Sequence, residues 1–209
     1  SDAFADIIRN VRDAGVFPAI AIGNAPCGPT GTSSPGDLYE AVGVGMTNVQ
    51  DEVDPGSCGA VTQWPRKISE RYGWPEGFVK PDVSAPGTAV FSAMPGGQWG
   101  NSTGTSMATP HVAGAVALIR SARAGLSVDE IVEALESTAW HPNGPGAAPD
   151  PRYGHGRIDV HQAIASVIGA SGVSGVVKDA VSGQPVAGAQ VSFADVGERW
   201  TTDENGSFQ

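Results

Sequence analysis

Basic residues are scarce in this sequence. Lys and Arg number 12 in 209 residues, against 22 Asp and Glu, for a net charge of −10. The few cations are scattered, so the clustered charge that phosphate neutralisation needs is missing, which argues against a nucleic-acid partner. Charged residues of both signs make up only 16%, while glycine is plentiful at 29. That combination excludes a coiled coil or a disordered tract and indicates a loop-rich globular chain. No apolar run reaches the roughly 18 residues of a membrane span. Residue 1 already falls inside an amphipathic pattern, so the natural N-terminus is expected upstream. Cysteine is rare as well. Cys27 and Cys58 are the only two, and they allow either one bridge, favoured in an oxidising compartment, or two unpaired structural thiols.

What is present reads as an α/β fold. Phe4, Ile7, Ile8 and Val11 recur at i, i+3, i+4, i+7, the stripe of a helix near 2–14 that Ser1 or Asp2 can cap and Gly15 can stop. Residues 16–22 and 41–46 are short apolar runs of the kind buried on both faces of a parallel sheet. Val83 and residues 89–93 read as further strands, the latter expected parallel. Residues 47–80 read as irregular, with an acidic patch at Asp51, Glu52 and Asp54 whose spacing is not that of a calcium loop. Helices are expected near 106–121, 128–137 and 159–168, the second opened by a Ser127-Val-Asp-Glu130 capping box. A mostly parallel sheet with helices on both faces is the architecture these elements imply.

The composition changes near residue 172. A domain boundary is placed at 169–173, between a unit spanning 1–168 and a tail of alternating strands over 174–209. The tail is too short to close a β-sandwich.

The sharpest motif is Gly104-Thr105-Ser106-Met107-Ala108-Thr109-Pro110-His111-Val112-Ala113-Gly114. Ser106 opens a helix, where free N–H groups and the macrodipole favour negative charge. A serine there can attack a carbonyl while its own N–H donates to the oxyanion that forms. Serine at a helix start is also very commonly an ordinary N-cap. Gly104 lets backbone approach a ligand, and Gly104 and Thr105 are assigned to substrate binding.

These eleven residues resemble the serine box of the subtilisin-like proteases. Lys80-Pro-Asp-Val-Ser-Ala-Pro-Gly87 resembles the strand and turn before that box. Ala21-Ile-Gly23-Asn24 resembles the family's oxyanion strand end, and Tyr153-Gly-His-Gly-Arg-Ile158 its turn into the last helix. The four occur in family order across residues 1–168. The resemblance implies a serine endopeptidase acting on protein or peptide substrates through an acyl-enzyme on Ser106, with Asn24 in the oxyanion hole. It implies Ala21, Ile22 and Gly23 on one wall of the specificity pocket and Ser33 and Ser34 near its base, a neutral surface suited to an apolar or uncharged side chain. It implies a secreted or cell-surface location and no organic cofactor. Structural calcium is frequent in the family, but no ligand set for it stands out here.

The family's catalytic Asp and His precede its serine, and no signature for either occurs here. Both are expected upstream of this chain. His111 follows Ser106 by five residues, about 140° around the helix. His141 and His161 have no motif around them, and His155 lies in the glycine-rich turn. Asp82 belongs to a Pro-Asp unit that is structural in the family. Rival readings are a catalytically dead fold used for binding, and an α/β-hydrolase esterase, whose Gly-x-Ser-x-Gly elbow is broken here by Ala108. The chain also departs from the family between Asp51 and Gly77. The tail carries Gly175-Val-Val-Lys-Asp179, Pro185-Val-Ala-Gly-Ala-Gln-Val191 and Thr202-Asp-Glu-Asn-Gly-Ser-Phe208, and with these it resembles the opening strands of carboxypeptidase regulatory-like modules.

Overall fold

The computed structural model describes residues 2–27, 31–168, 175–192 and 199–208. The chain divides into two compact units, Ser1–Ile168 and Gly169–Gln209; the linker expected at 169–173 lies outside the described residues.

In the first unit the elements run α1 (Ala5–Asp13), β1 (Ala19–Ala21), β2 (Val42–Thr47), β3 (Ala60–Thr62), α2 (Arg66–Tyr72), β4 (Phe78–Lys80), β5 (Val83–Pro86), β6 (Val90–Met94), β7 (Gln98–Ser102), α3 (Thr105–Ala122), α4 (Val128–Ser137) and α5 (Val160–Ile168). Strands β1, β2 and β5 form a three-stranded sheet with β2 central. Both pairings are parallel, Ala19 opposite Val42 and Val44 opposite Val83. Every residue of β2 is buried, as its unbroken apolar run implies.

Helices cover both faces. Val42, Val44 and Met46 of β2 pack with Val83 and Ala85 of β5 against Ala108, Val112, Ala115 and Ile119 of α3, and α4 and α5 close this core through Ile131, Leu135, Ala163 and Val167. On the other face Ala5 and Ile8 of α1 join Leu38, Ala41, Tyr72 and Trp74, with Ile20 and Ile68 packed against them. The capping box of α4 is formed: Glu130 N–H donates to Ser127 Oγ at 3.2 Å, and Ser127 N–H to the Glu130 carboxylate at 2.8 Å.

The structure corrects the sequence reading in four places. Residues 90–94 do not join the parallel sheet; β6 pairs antiparallel with β7 as a separate hairpin. Gly96 and Gly97, at φ 79° and 74°, supply the left-handed turn that folds the strand back on itself. Residues 47–80 are not irregular, since β3 and β4 pair antiparallel around α2. Ile68 and Tyr72, spaced by four, bury one side of α2, Trp64 just before the helix packs with them, and Gly73 in the left-handed conformation ends it. The sheet's first strand is shorter than residues 16–22, beginning at Ala19 after Pro18, whose carbonyl accepts from Val42 N–H. The N-cap of the first helix is Phe4, not Ser1 or Asp2; a short 3-10 turn, Asp2–Phe4, leads in, and Phe4 offers no side-chain bond.

The turn at 153–157 closes the free edge of β5. His155 N–H donates to the Asp82 carbonyl, Ser84 N–H to that of Gly156 and Ile158 N–H to that of Ser84, at 2.8, 2.8 and 2.9 Å. Gly154 sits at φ +64°, and a Cβ there would lie 2.3 Å from the Asp82 carbonyl oxygen, so only glycine fits.

In the second unit β8 (Gly175–Val176) pairs antiparallel with β11 (Ser207–Phe208), and β9 (Gln190–Ser192) with β10 (Arg199–Thr201). Thr202 is buried and donates to the Val186 carbonyl at 2.6 Å.

Candidate active site

Ser106 is the second residue of α3 and is exposed. Its hydroxyl makes no hydrogen bond among the described residues. The helix start is locked from behind. Gly104, the N-cap, donates its N–H to the Gly87 carbonyl just beyond β5 at 2.9 Å and accepts from Met107 N–H at 2.9 Å. Thr105 is fully buried. The helix therefore begins at a fixed point beside the sheet, with Ser106 turned outward.

Asn24 lies three residues beyond the end of β1 and is exposed. Thr105 holds its side chain. The Thr105 N–H and hydroxyl both donate to Asn24 Oδ1, at 2.8 and 3.1 Å. With its oxygen taken by two donors, the amide of Asn24 is left with Nδ2 free to donate beside the N-terminus of α3. A hydroxyl, a side-chain amide donor and a helix N-terminus in one place are the parts that attack on a carbonyl and stabilisation of its oxyanion require.

The residues expected to form a specificity pocket are partly brought together. Ser33 N–H donates to the Ile22 carbonyl at 2.9 Å. Gly23 is at φ +112°, and a Cβ there would lie 2.4 Å from Ser33 Oγ. The backbone at 21–23 and Ser33 thus face each other. The Ile22 side chain is fully buried, with its Cδ1 against Gly43, so Ile22 presents backbone only. Ser34 is exposed.

Among the described residues no histidine bonds to Ser106. His111 is exposed on α3, with Nδ1 2.9 Å from the carbonyl oxygen of Met107. His141 is 4% exposed, lies beside Tyr153 and sits 3.3 Å from an Asp150 carboxylate oxygen. His155 Nε2 is 3.5 Å from Glu136 Oε2, and His161 is exposed on α5. Asp82 serves β2 instead: its Oδ2 accepts from Gly43 N–H at 2.5 Å and from the fully buried Lys80 ammonium at 2.6 Å, which also donates to the Ala41 carbonyl at 2.6 Å.

Burial pushes the Glu136 carboxyl up to about 7, and the nearby negative charge of Asp82 adds to the shift. Burial lowers the His155 imidazole. Both shifts favour a neutral pair behind β5.

The acidic patch is occupied by protein partners. Asp51 pairs with Arg157 at 2.6 Å, Glu52 accepts from Asn48 at 3.1 Å, and Asp54 accepts from Gly56 N–H at 2.8 Å and Thr88 Oγ1 at 2.7 Å. Among the described residues no group of three His, Cys, Asp or Glu converges as a metal site, and no helix is long and apolar enough to cross a membrane.

Cys27 and Cys58 are bonded, with Cα atoms 5.6 Å apart, inside the usual range of about 4.4–6.8 Å. Of the two arrangements the sequence left open, this is the one adopted.

Residues 1–156 match the model of the subtilase family. The chain belongs to the subtilase family. It is 33% identical over 172 residues to Bacillopeptidase F of Bacillus subtilis (strain 168), covering 78% of this chain and 11% of that one. It is 31% identical over 167 residues to Subtilisin of Bacillus pumilus, covering 78% and 52%. It is 44% identical over 68 residues to the Minor extracellular protease Vpr of Bacillus subtilis (strain 168), covering 30% and 8%. The chain thus spans from about a tenth to about a half of the length of these relatives.

The sequence singled out Ser106 and Asn24 individually but missed the pairing of Thr105 with Asn24, which ties the Asn24 side chain to the start of α3. The available signal was a threonine between the helix-opening glycine and the serine, a small hydroxyl residue at a position that the helix start buries.

Proposed function

We propose that this subtilase chain contributes the nucleophile and oxyanion hole of a serine endopeptidase. Ser106 Oγ attacks the scissile carbonyl, and the proton leaves to a histidine that an aspartate orients, both supplied from outside this chain. The carbonyl oxygen, now carrying the charge, is held by Asn24 Nδ2 and the Ser106 N–H. The leaving amine takes the proton and departs, and water then hydrolyses the ester on Ser106 by the same steps in reverse order of roles. Substrates are proteins or peptides, and no organic cofactor enters the reaction.

The observation that carries this reading is the double donation from Thr105 to Asn24 Oδ1. It turns the amide so that its N–H groups, not its oxygen, are available where negative charge develops. A binding protein built on the same fold has no need of that orientation.

The pocket wall at Gly23 and the base at Ser33 are neutral, which fits an apolar or uncharged residue before the cleaved bond. The disulfide and the extracellular relative together support a secreted or cell-surface location. Residues 174–209 are read as the start of a carboxypeptidase regulatory-like module.

Peptide hydrolysis by the full-length protein tests the reading. Asn24→Ala should lower kcat by about 10²–10³-fold, a magnitude measured in a subtilisin and carried over to this chain. Unchanged turnover in Asn24→Ala would remove Asn24 from the mechanism.

A further inference from the structure

The end of β1 is strapped down by residues 56–58. Ala25 N–H donates to the Gly56 carbonyl at 2.8 Å, Cys58 N–H donates to the Gly23 carbonyl at 3.1 Å, and Asn24 bridges antiparallel to Ser57. The strap is itself anchored in the core. Ser57 is 2% exposed, and its Oγ accepts from Met46 N–H of β2 at 3.1 Å. Arg152 donates to the carbonyls of Ser57 and Asp54 at 3.1 Å each. Cys58 is 1% exposed and carries the bond to Cys27. Asn24 therefore sits within a small closed circuit, from residue 24 to Cys27, across the disulfide to Cys58, and back through Ser57.

Residues 24–27 are otherwise exposed. Without the covalent tie, two backbone hydrogen bonds and the Thr105 bonds to the Asn24 side chain would hold this loop end at the surface, where local opening is least costly. The side chain of Asn24 is aimed by Thr105, but its backbone is placed by the strap.

We infer that the Cys27–Cys58 disulfide is a positioning device for Asn24, making turnover sensitive to thiol reductants through that one residue. The inference rests on the oxyanion role of Asn24 given above. Stabilisation of a developing charge depends on donors already in place, and a misplacement near 1 Å costs on the order of 10²-fold in rate. The strap's remaining bonds limit the displacement, so the expected loss is smaller than that from removing Asn24.

The test is a cycle in the full-length protein, comparing wild type, the double variant Cys27→Ser with Cys58→Ser, Asn24→Ala, and the triple variant. The disulfide-free protein should lose about tenfold in kcat with KM held within about twofold, because the donor acts on the transition state rather than on bound substrate. In the Asn24→Ala background the same change should cost less than about twofold, since residues acting as a unit are not additive. A soluble dithiol gives an independent route. It takes the bridge to two thiols while closing to its own disulfide, and kcat should fall and return on reoxidation. Reduction of the folded wild type and of folded Asn24→Ala completes the comparison if the double variant does not fold. Equal losses in both backgrounds, or no loss in kcat, would make the bridge merely structural and overturn the inference. Unchanged turnover in Asn24→Ala alone sinks the oxyanion reading instead, and this inference with it.

Discussion

Thr105 and Asn24 are 81 residues apart in sequence, yet both donors of Thr105 converge on one oxygen of Asn24, at 2.8 and 3.1 Å. Each bond fixes the same thing, the sense of the Asn24 amide. The backbone bond is common to any residue at 105, but the hydroxyl bond is not. Thr105→Val keeps the shape and loses the hydroxyl. Net loss of one such bond is about 0.5–1.5 kcal/mol, so kcat of the full-length protein should fall by about two- to tenfold with KM little changed. Thr105→Ser should retain wild-type turnover. Steady-state kinetics on the two variants check this, and equal turnover in Val and Ser would remove the hydroxyl from the argument.

Lys80 is fully buried, and among the described residues its ammonium donates hydrogen bonds to Asp82 and the Ala41 carbonyl. The pair ties β5 to β2 through the Gly43 N–H. Lys80→Met leaves Asp82 without its counter-charge in a largely buried site, and the expected loss is about 3–5 kcal/mol of stability. Adding Asp82→Asn should restore part of it, because the uncompensated charge goes too. Denaturant unfolding of the single and double variants measures both effects. A single variant as stable as wild type would mean that the charge pair carries no net stability.

Glu136 gives a pH dependence with a definite sign. Its carboxyl is raised from 4.5 to about 7 by burial and by Asp82. A folded-state value above the unfolded one means that the folded state binds the proton more tightly. This contribution to stability is therefore full below about pH 4.5 and is lost as pH rises through about 7. Glu136→Gln, which stays neutral, should flatten that part of the stability profile and leave the protein more stable than wild type above pH 7. Thermal melting across pH 4–8 reads the slope, and an unchanged profile would contradict the assignment. His155 acts in the opposite sense. Its lowered value gives stability present above the unfolded pKa and lost as pH falls through the folded one.

Much of this architecture was legible in the sequence, and the parts that were not share a cause. The apolar run at 41–46, the apolar helix opened by Ser106 and the Ser127–Glu130 box depend on neighbours within one element, and these formed within a residue of where they were expected. The hairpin of β6 and β7 was seen as a strand but given the wrong partner. Strand type is a local property, whereas pairing direction was decided here by Gly96 and Gly97. The elements within 47–80 were missed because β3 and β4 are three residues each, too short to show a period. Around the candidate site, Ser106 was singled out because its motif is contiguous. The Thr105–Asn24 clamp and the Ser57 strap join distant segments, and no local pattern marks them.

The most direct measurement of the central claim is covalent labelling of Ser106. A fluorophosphonate probe reacts with a serine whose proton is taken by an adjacent base, and an unactivated hydroxyl reacts poorly. Full-length protein should be labelled, with the adduct found by mass spectrometry on the peptide containing Ser106, and Ser106→Ala should abolish it. The 209-residue chain alone should remain unlabelled, because no histidine among its described residues bonds to Ser106. Folded full-length protein that takes no label, or takes it at another residue, would contradict the assignment of Ser106. Strong labelling of the isolated chain would mean that a base lies within it, and that the exclusion of His111, His141, His155 and His161 is wrong.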